Sequence, residues 1–321
     1  MDAERSSRWP RVAVMGAGAV GSYFGGMLAR AGTPVTLLGR RAHVEAIARN
    51  GLFIDSLNFQ ERVAVAASTQ PDAARDAELV LFCVKTLDTE AAARLLAPHL
   101  VPGALLLSLQ NGVDNAGRIR AATGTEAVPA VVYVAASLPA PGRVKHAGRG
   151  DLVIGRPGRN SAGRGAGGDD LERVAAIFAR AGVPCRISEN IEGELWAKLV
   201  WNCAGNAATA LARASYGQVA RNDHSRHVLL AAAKEVLEVA RAAGVQLPPM
   251  DLVGAGLKLA QELGAATSST AQDLVRGRRT EIDALNGFVA RRGAELGVPT
   301  PVNHTLYALV KLLEENLPET Q

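Results

Sequence analysis

Short apolar runs alternate with helical patterns along the first half of the chain, from Arg11 to about Arg186. This alternation is typical of βαβ units that assemble a parallel sheet. Within it, Leu52 to Val65 has the pattern of two short edge strands, and Asp151–Ile154 is a candidate for another strand. The strands predicted for the parallel sheet are Val12–Met15, Val35–Leu38, Leu79–Val84, Ala104–Leu109 and Val128–Val134.

The pattern changes after the short apolar run Val183–Ile187. From Glu189 onward the chain shows long helical periodicities and no strand pattern, which predicts an all-helical second domain. Its helices are predicted at Ile191–Ala212, Ser225–Ala243, Asp251–Leu263, Glu281–Leu296 and Val302–Leu313. We therefore expect an α/β domain over residues 1–188 and a C-terminal helical domain over residues 189–321.

The composition fits two domains and argues against several kinds of protein. The chain has 321 residues, 48% of them apolar, which is enough for a core in each of two domains of ~150 residues. The net charge of +4 is spread along the chain, so we expect no nucleic-acid or membrane-surface partner. The start, Met1 to Pro10, is polar, and no apolar run approaches the ~18 residues of a membrane span. These features predict a cytoplasmic protein.

The cysteines and one glycine-rich segment suggest no chemistry of their own. Cys83, Cys185 and Cys203 lie far apart without a CxxC or histidine pairing, so neither a disulfide framework nor a metal site is expected. From Gly155 to Gly168, six of fourteen residues are glycine and none is a large apolar residue. That segment is predicted to be a mobile surface loop.

A glycine motif follows the first predicted strand directly. It reads Gly16-Ala17-Gly18-Ala19-Val20-Gly21 and opens a helix that runs to about Ala31. In this context the first glycine permits a tight turn, the second lets a pyrophosphate approach the backbone, and the third lets the helix pack on the strand. A turn without a ligand and a flavin site are the alternatives. We favour a nicotinamide dinucleotide, and hence a Rossmann-type dinucleotide-binding domain.

The end of the second predicted strand bears on which dinucleotide is bound. An acidic residue there would hold the ribose 2′-hydroxyl of NAD, whereas the 2′-phosphate of NADP needs that acid absent and an arginine nearby. Gly39 is not acidic, and Arg40 or Arg41 can make a bidentate contact to a phosphate. NADP(H) is therefore favoured. The alternative is that both arginines are solvated surface charges.

Two more polar residues follow predicted strands at the carboxyl edge, where open α/β sheets bind ligands. Lys85 follows Leu79–Val84 and is a second cationic candidate for the cofactor. Asn111 ends the next strand on the same side. Because Asn-Gly is also a strong turn former, spacing alone leaves a ligand contact and a plain turn equally open for Asn111.

One predicted helix carries a row of polar side chains among apolar neighbours. Lys198, Asn202 and Asn206 are four residues apart and therefore lie on one face, one turn above another. Asparagine is a poor helix former with little reason to recur on an exposed face. One amine and two amides suit the orientation of a small polar substrate, although a solvated helix face explains the spacing equally well.

Lys198 is suited to act as a catalytic acid. The pKa of a lysine, ordinarily about 10.4, falls when the amine is desolvated, and the protonated amine donates a hydrogen bond to a carbonyl. Hydride attack on a ketone produces an alkoxide that must be stabilised and protonated. A lysine on that oxygen performs both tasks.

Taken in order, these motifs resemble the ketopantoate reductase (2-dehydropantoate 2-reductase) family over nearly the whole chain. The resemblance joins the glycine motif, Lys85 and Asn111-Gly112 to the helix with Trp196-x-Lys198, Asn202 and Asn206. It continues through Ser268-Ser269-Thr270-Ala271-Gln272-Asp273 and Thr280-Glu281-Ile282-Asp283. It implies an oxidoreductase that reduces 2-dehydropantoate to (R)-pantoate with NADPH, a step toward pantothenate and coenzyme A.

The resemblance also implies a role for each matching residue. Lys198 would hydrogen-bond the ketone and donate the proton, and Glu281 would hold the substrate hydroxyl and help to orient the lysine. Arg40 with Lys85 would recognise the 2′-phosphate, and Asn111 would lie between substrate and nicotinamide. The implied substrate contacts are Asn111, Lys198, Asn202, Asn206, Ser269 and Glu281. On spacing alone, Glu281 would be a helix N-terminal acid beside a Thr280 cap.

Departures from the family pattern leave the substrate open. Ala266 stands where the family often has an asparagine, and Trp201 and Ala204-Gly205 replace aliphatic residues of other sizes. The alternatives are a reductase of another 2-oxo acid, a dehydrogenase of 3-hydroxy acids or glycerol phosphate, and an NADPH-binding regulator without turnover. The apolar surface of the helical domain also allows a homodimer.

Overall fold

The computed structural model describes residues 10–158 and 168–317, so most of the predicted glycine-rich loop, residues 159–167, lies outside the described residues. The chain divides into two compact units. The first comprises Met1–Gln110 and Asp114–Ile191, and the second comprises Asn111–Val113 and Glu192–Gln321. Three residues from the first half of the sequence thus belong to the second unit.

The first unit is built on a sheet that has ten strands within the described residues. They are β1 (Val12–Met15), β2 (Val35–Leu38), β3 (Leu52–Asp55), β4 (Gln60–Val63), β5 (Ala66–Ser68), β6 (Leu79–Phe82), β7 (Leu105–Ser108), β8 (Ala127–Ala140), β9 (Arg143–Ile154) and β10 (Cys185–Ile187). The order across the sheet is β4-β3-β9-β8-β7-β6-β1-β2-β5, with β10 beside β9. Neighbours are parallel except in the β3/β4 and β8/β9 pairs.

Helices cover both faces of this sheet. They are α1 (Ala19–Arg30), α2 (Arg41–Asn50), α3 (Thr89–Leu96), α4 (Asn115–Thr123) and α5 (Gly168–Arg180), with short 3-10 helices at Pro71–Ala74, Thr86–Asp88 and Ala97–His99. Successive strand residues face opposite sides of a sheet. Accordingly, Val12 and Val14 share a core with α1 and α5, while Ala13 shares a second core with α3 and α4. Both faces of the central strands are apolar, as a buried parallel sheet requires.

The second unit is helical throughout its described residues. Its helices are α6 (Ile191–Ala212), α7 (Tyr216–Arg221), α8 (Asp223–Ala242), α9 (Leu252–Leu263), α10 (Ser269–Val275), α11 (Asn286–Leu296) and α12 (Pro301–Glu315), with a 3-10 helix at Ile282–Ala284. The core of this unit surrounds the apolar side of α6, where Leu199, Val200 and Cys203 are fully buried. The predicted α/β fold with a Rossmann-type N-terminal domain and an all-helical C-terminal domain is confirmed.

Several predicted boundaries were wrong. The helix predicted from Glu281 begins at Asn286, because Leu285 (φ −107°, ψ −106°) leaves the helical path and only a 3-10 turn precedes it. The strand predicted to Val84 ends at Phe82. The strand predicted over Val128–Val134 continues to Ala140 and pairs with β9 in a long hairpin. The helices α7 and α10 and the strand β5 were not predicted.

Candidate active site

The glycine motif forms the turn from β1 into α1, and its three glycines are needed for different reasons. Gly16 has φ +104°, and a Cβ there would lie 2.6 Å from the backbone nitrogen of Val84. A Cβ on Gly21 would lie 2.2 Å from the carbonyl oxygen of Gly16. Gly18 has an ordinary extended backbone, and a Cβ there would meet no protein atom within 4 Å. The space kept open at Gly18 fits the approach of a pyrophosphate to the helix N-terminus.

The residues after β2 also fit a cofactor with a 2′-phosphate. A Cβ on Gly39 would lie 2.8 Å from the Cβ of Ala17, so an acidic side chain does not fit there unless Ala17 moves. Arg40 is exposed at the N-cap of α2, and its side chain forms no hydrogen bond or ion pair with the described residues. A cation is unfavourable at a helix N-terminus, whereas an anion bound beside it is favoured. Arg40 is therefore placed to bind an anion.

A chain of hydrogen bonds connects the β8/β9 turn to the glycine turn. The backbone N–H of Gly142 donates to Nδ1 of His43 at 2.9 Å, and Nε2 of the same ring lies 3.1 Å from Oγ of Ser22. Ser22 in turn donates to the carbonyl oxygen of Ala17 at 3.2 Å. Because Nδ1 is an acceptor here, His43 is neutral and donates from Nε2. Burial, and then the charge of Arg40, lower the pKa of His43 below its usual value.

Lys85 and Gln110 lie at the carboxyl edge of the sheet. Lys85 is half-buried at the start of the 3-10 helix Thr86–Asp88. Gln110, which sequence reasoning missed, is buried and donates to the carbonyl oxygen of Val84 at 3.1 Å and to Oγ1 of Thr89 at 2.8 Å. It thereby ties together the segments that follow β6 and β7. A glutamine directly after an apolar strand was the available signal.

In the second unit, Lys198, Asn111 and Glu281 form one hydrogen-bonded chain. Nζ of Lys198 donates to Oδ1 of Asn111 at 2.9 Å, and Nδ2 of Asn111 donates to Oε2 of Glu281 at 2.9 Å. An ammonium can only donate and a carboxylate can only accept, so this amide has a single consistent orientation. Gly112, with φ +101°, makes the turn beside it. Asn111 is thus both a turn residue and the link between the lysine and the carboxylate.

The segment around Glu281 is held from several directions. Thr280 donates its hydroxyl to Oε1 of Glu314 at 2.6 Å, and Asp283 accepts from Tyr307 at 2.8 Å. Asn286 donates from Nδ2 to the carbonyl oxygen of Cys203 on α6 at 2.9 Å. Glu281 is therefore not the helix N-terminal acid that spacing alone suggested, because α11 begins five residues later. The bonds of its neighbours fix the backbone on both sides of Glu281, whose carboxylate accepts from Asn111.

The other predicted substrate contacts lie on α6 and α10. Asn202 is half-buried on α6 and makes no side-chain hydrogen bond within the described residues. Asn206 is 4% exposed and accepts from the hydroxyl of Tyr216 at 2.7 Å. Ser269 is exposed at the first position of α10, next to the capping Ser268. Their contact with a substrate stays a prediction.

Trp201, one of the departures from the family pattern, has its own place in the helical unit. A Cβ built on Gly256 of α9 would fall within the indole, 1.5 Å from Cε2 of Trp201. The ring therefore lies directly on the backbone of α9, where only glycine leaves room. The large side chain at position 201 is matched by a missing one at position 256.

Neither a metal site nor a membrane span emerges from the described parts of the chain. Within residues 10–158 and 168–317, no group of three or more histidine, cysteine, aspartate or glutamate side chains is arranged to hold a metal ion. Over the same ranges, no helix is long and apolar enough to cross a membrane.

A glycine turn at the head of a Rossmann-type sheet and a hydrogen-bonded lysine, amide and carboxylate define a dinucleotide-dependent oxidoreductase. The family description "Ketopantoate reductase PanE/ApbA" matches residues 12–159, and its C-terminal counterpart matches residues 190–314. The chain belongs to the ketopantoate reductase family.

Individual relatives agree with this assignment over nearly the full length. The 2-dehydropantoate 2-reductase of Halobacterium salinarum is 36% identical over 314 residues, which cover 95% of this chain and 99% of the relative. The crystal structure of a PanE/ApbA family ketopantoate reductase from Ralstonia eutropha is 48% identical, with a TM-score of 0.88 and coverage of 96% and 99%. That of 2-dehydropantoate 2-reductase from Geobacter metallireducens is 31% identical, with a TM-score of 0.86 and coverage of 94% and 99%.

Proposed function

We propose that this chain reduces 2-dehydropantoate to (R)-pantoate with NADPH, a step in the biosynthesis of pantothenate and coenzyme A. The observation that carries the proposal is the hydrogen-bonded chain from Lys198 through Asn111 to Glu281. Family membership supplies the reaction class, and the relatives' names supply the substrate. NADPH, when bound, supplies the hydride.

Lys198 acts as the proton donor. Its ammonium donates to Asn111, and an ammonium carries three N–H donors, so this bond is compatible with donation to the ketone oxygen of the substrate. As negative charge develops on that oxygen, the ammonium stabilises it and then transfers a proton to it. The ordered amine thus supplies both the charge and the proton.

Glu281 stabilises the protonated lysine through Asn111 and accepts a hydrogen bond from the substrate hydroxyl. Oε2 accepts from Asn111, and a carboxylate has several acceptor sites, so it can serve more than one donor. Asn202, Asn206 and Ser269 orient the remaining polar groups of the 2-oxo acid. Asn111 would lie between the substrate and the nicotinamide when both are bound.

The glycine turn, Arg40 and Lys85 bind the cofactor. Gly16 to Gly21 cradle the pyrophosphate, and the two cations recognise the 2′-phosphate. Residues 1–188 would then be the NADP-binding domain and residues 189–321 the substrate and catalytic domain. A cytoplasmic location and a homodimer stay predictions from the sequence.

The direct test is an NADPH oxidation assay with a panel of 2-oxo acids that includes 2-dehydropantoate. We expect the highest kcat/KM with 2-dehydropantoate. A preference for another 2-oxo acid would correct the proposed substrate and support the proposed reaction class. Turnover of none of the acids would favour a binding protein without catalysis.

Substitution of the proton donor tests the mechanism. Lys198→Ala should lower kcat by at least ~10²-fold, the usual scale for loss of a general acid. Lys234→Ala, which removes an exposed lysine of α8, is the control and should retain the wild-type rate. An unchanged kcat in Lys198→Ala would reject Lys198 as the donor.

Cofactor preference tests Arg40. Arg40→Ala should raise the Kd of NADPH by ~10-fold or more and leave that of NADH nearly unchanged, because only NADPH carries the 2′-phosphate. Arg49→Ala, an exposed arginine at the far end of α2, provides the comparison. Equal weakening of both dinucleotides would argue against 2′-phosphate recognition by Arg40.

A further inference from the structure

We propose that Tyr216 is a positioning residue: it fixes the amide of Asn206 so that the NH2 group faces the bound 2-oxo acid. That Asn206 contacts the substrate rests on the function proposed above. Tyr216 lies outside the motifs that identified the site, on the short helix α7. Its role follows from its packing and from one hydrogen bond.

The ring of Tyr216 occupies space that a side chain at position 205 would otherwise fill. A Cβ on Gly205 would lie 2.8 Å from Cε1 and 3.2 Å from Cδ1 of this ring. The ring therefore packs against the backbone of α6, one residue before Asn206. Glycine at position 205 and tyrosine at position 216 form a complementary pair.

The backbone of Tyr216 is held as firmly as its ring. Ser215 and Gln218 form a reciprocal capping box at the start of α7. The N–H of Tyr216 donates to the carbonyl oxygen of Ala266 at 2.9 Å, and that of Gly217 donates to the carbonyl oxygen of Gly264 at 2.9 Å. The backbone that carries the Tyr216 ring is therefore held both by the capping box of α7 and by the segment before α10.

The hydroxyl of Tyr216 selects one orientation of the Asn206 amide. It donates to Oδ1 of Asn206 at 2.7 Å. A phenol is a strong donor and a weak acceptor, because one oxygen lone pair is delocalised into the ring, so it prefers the amide oxygen to the amide nitrogen. Burial also raises the pKa of Tyr216, which keeps the hydroxyl protonated. Nδ2 of Asn206 then points away from the tyrosine and makes no hydrogen bond within the described residues.

The backbone of Asn206 is connected to the second predicted substrate segment. Its carbonyl oxygen accepts from Oγ of Ser268 at 3.0 Å. Ser268 also caps α10 by accepting from the N–H of Ala271 at 3.0 Å, and Ser269 is the first residue of that helix. Tyr216 and Ser268 thus hold the side chain and the backbone of the same residue, and Ser268 fixes the start of α10.

This arrangement makes Asn206 a hydrogen-bond donor toward the substrate. Its partner must be an acceptor, which in a 2-oxo acid means a carboxylate, ketone or hydroxyl oxygen. Without the Tyr216 hydroxyl, the amide would rotate between two orientations, only one of which binds the substrate productively. Loss of the hydroxyl should therefore weaken substrate binding more than it slows the chemical step.

The test is Tyr216→Phe, which keeps the ring against Gly205 and removes the hydroxyl. We expect KM for 2-dehydropantoate to rise about tenfold, while kcat and KM for NADPH stay within about twofold of wild type. Tyr133→Phe, on β8 of the first unit, is the control, because it also removes a tyrosine hydroxyl and keeps the ring that packs against the guanidinium of Arg149. The control should retain the wild-type KM.

An unchanged KM in Tyr216→Phe, or a fall in kcat at constant KM, would overturn the role of Tyr216. A second variant, Asn206→Asp, separates the two amide orientations, because it replaces the NH2 group by an oxygen. Its KM should rise at least as much as that of Tyr216→Phe, and a wild-type KM would show that the oxygen faces the substrate.

Failure of the proposed function is seen separately, as an inactive wild type. The kinetic comparison then uses whichever 2-oxo acid the wild type reduces. In every case the side-chain amide signals of Asn206 are also compared by 15N NMR without ligand. We expect them to shift in Tyr216→Phe and not in Tyr133→Phe, and identical signals in wild type and Tyr216→Phe would overturn the proposal.

Discussion

Gly18 differs from the other two glycines of the motif in what its missing side chain leaves free. Gly16 is fixed by a positive φ and Gly21 by contact with the turn itself, so both are required by the fold. Gly18 has neither constraint. Its backbone is open to any residue, and the space beside it is empty of protein atoms. The fold therefore does not require glycine at position 18, whereas the approach of a ligand to the backbone would.

Gly18→Ala should therefore separate binding from stability. We expect the Tm of the free protein to change by less than about 2 °C, since the new methyl group meets no protein atom. The Kd of NADPH should rise by ~10-fold or more, because the methyl group occupies the approach to the helix N-terminus. Calorimetric titration measures the Kd. Gly21→Ala is the contrasting variant and should lose stability. Wild-type affinity of Gly18→Ala for NADPH would show that the pyrophosphate does not bind beside Gly18.

At the scale of residues, the sequence predicted which side chains belong to the site better than it predicted which of them form hydrogen bonds with each other. Lys198 was named from the polar row on its helix and Glu281 from the family resemblance, but the bonds that join them through Asn111 depend on three segments far apart in the chain. Tyr216 was not predicted, because a six-residue helix has too little periodicity to recognise. The place of its ring also depends on the missing side chain at Gly205, which is not visible in the sequence around Tyr216. A motif names side chains, whereas their pairing is a property of the fold.

At the scale of elements, His43 joins three parts of the first unit. It lies on α2, accepts from Gly142 in the β8/β9 turn and contacts Ser22 of α1. Since both ring nitrogens are engaged in the neutral form, protonation would break the bond from Gly142. The hairpin and the glycine turn are thus coupled through one imidazole.

This coupling predicts a pH dependence of stability. The pKa of His43 is lowered in the folded state, so the unfolded chain binds the proton more readily. The stabilisation is present above about pH 6.5, the ordinary histidine pKa, and is lost as the pH falls below it. Urea unfolding between pH 5 and pH 7.5 measures the slope. His43→Gln should flatten it, and His304→Gln, at an exposed site, should not. Equal slopes in wild type and His43→Gln would contradict the assignment.

A buried carboxylate performs a comparable task in the second unit. Glu235 on α8 is 8% exposed and accepts from the backbone N–H groups of Val302 and Asn303 at 2.9 Å each. It also accepts from Nδ2 of Asn303 at 2.8 Å, and Asn286 donates to the same asparagine. A negative charge at the first turn of α12 is favoured by the free N–H groups of the helix.

Glu235→Ala should lower the free energy of unfolding by about 3 kcal/mol, because several buried donors lose a charged acceptor. Thermal or denaturant unfolding measures the loss. Glu238→Ala, one turn further along α8 and exposed, should change stability by less than about 0.5 kcal/mol. A loss in Glu235→Ala no larger than in Glu238→Ala would show that α12 does not depend on this cap.

The same scale shows which elements a sequence can predict. The long helix α6 was predicted at its observed bounds, because 22 residues give a clear periodicity. β1 and β2 were also predicted at their bounds, since apolar runs flanked by turn residues mark them. The extension of β8 was missed because its outer half carries small and exposed residues, and it is held by pairing with β9. Pairing across a hairpin leaves no periodic signal in either strand alone.

At the scale of the whole molecule, the two halves of the sequence do not coincide with the two units. Asn111–Val113 separates β7 from α4 in the chain, yet it belongs to the helical unit. A boundary between residues 188 and 189 accounts for the change in hydrophobic pattern but not for the assignment of Asn111–Val113 to the second unit. Sequence periodicity could not reveal it, because three residues are too few to form an element.

The position of Asn111 has a consequence for recombination between relatives. A chimera that joined residues 1–188 of this chain to the helical half of another family member would receive its lysine and carboxylate from one parent and the amide between them from the other. Exchange at that boundary would work only where both parents carry an asparagine at this turn and the same turn geometry around Gly112. A graft that transfers Asn111–Val113 together with the helical half would keep the three groups as one inherited set.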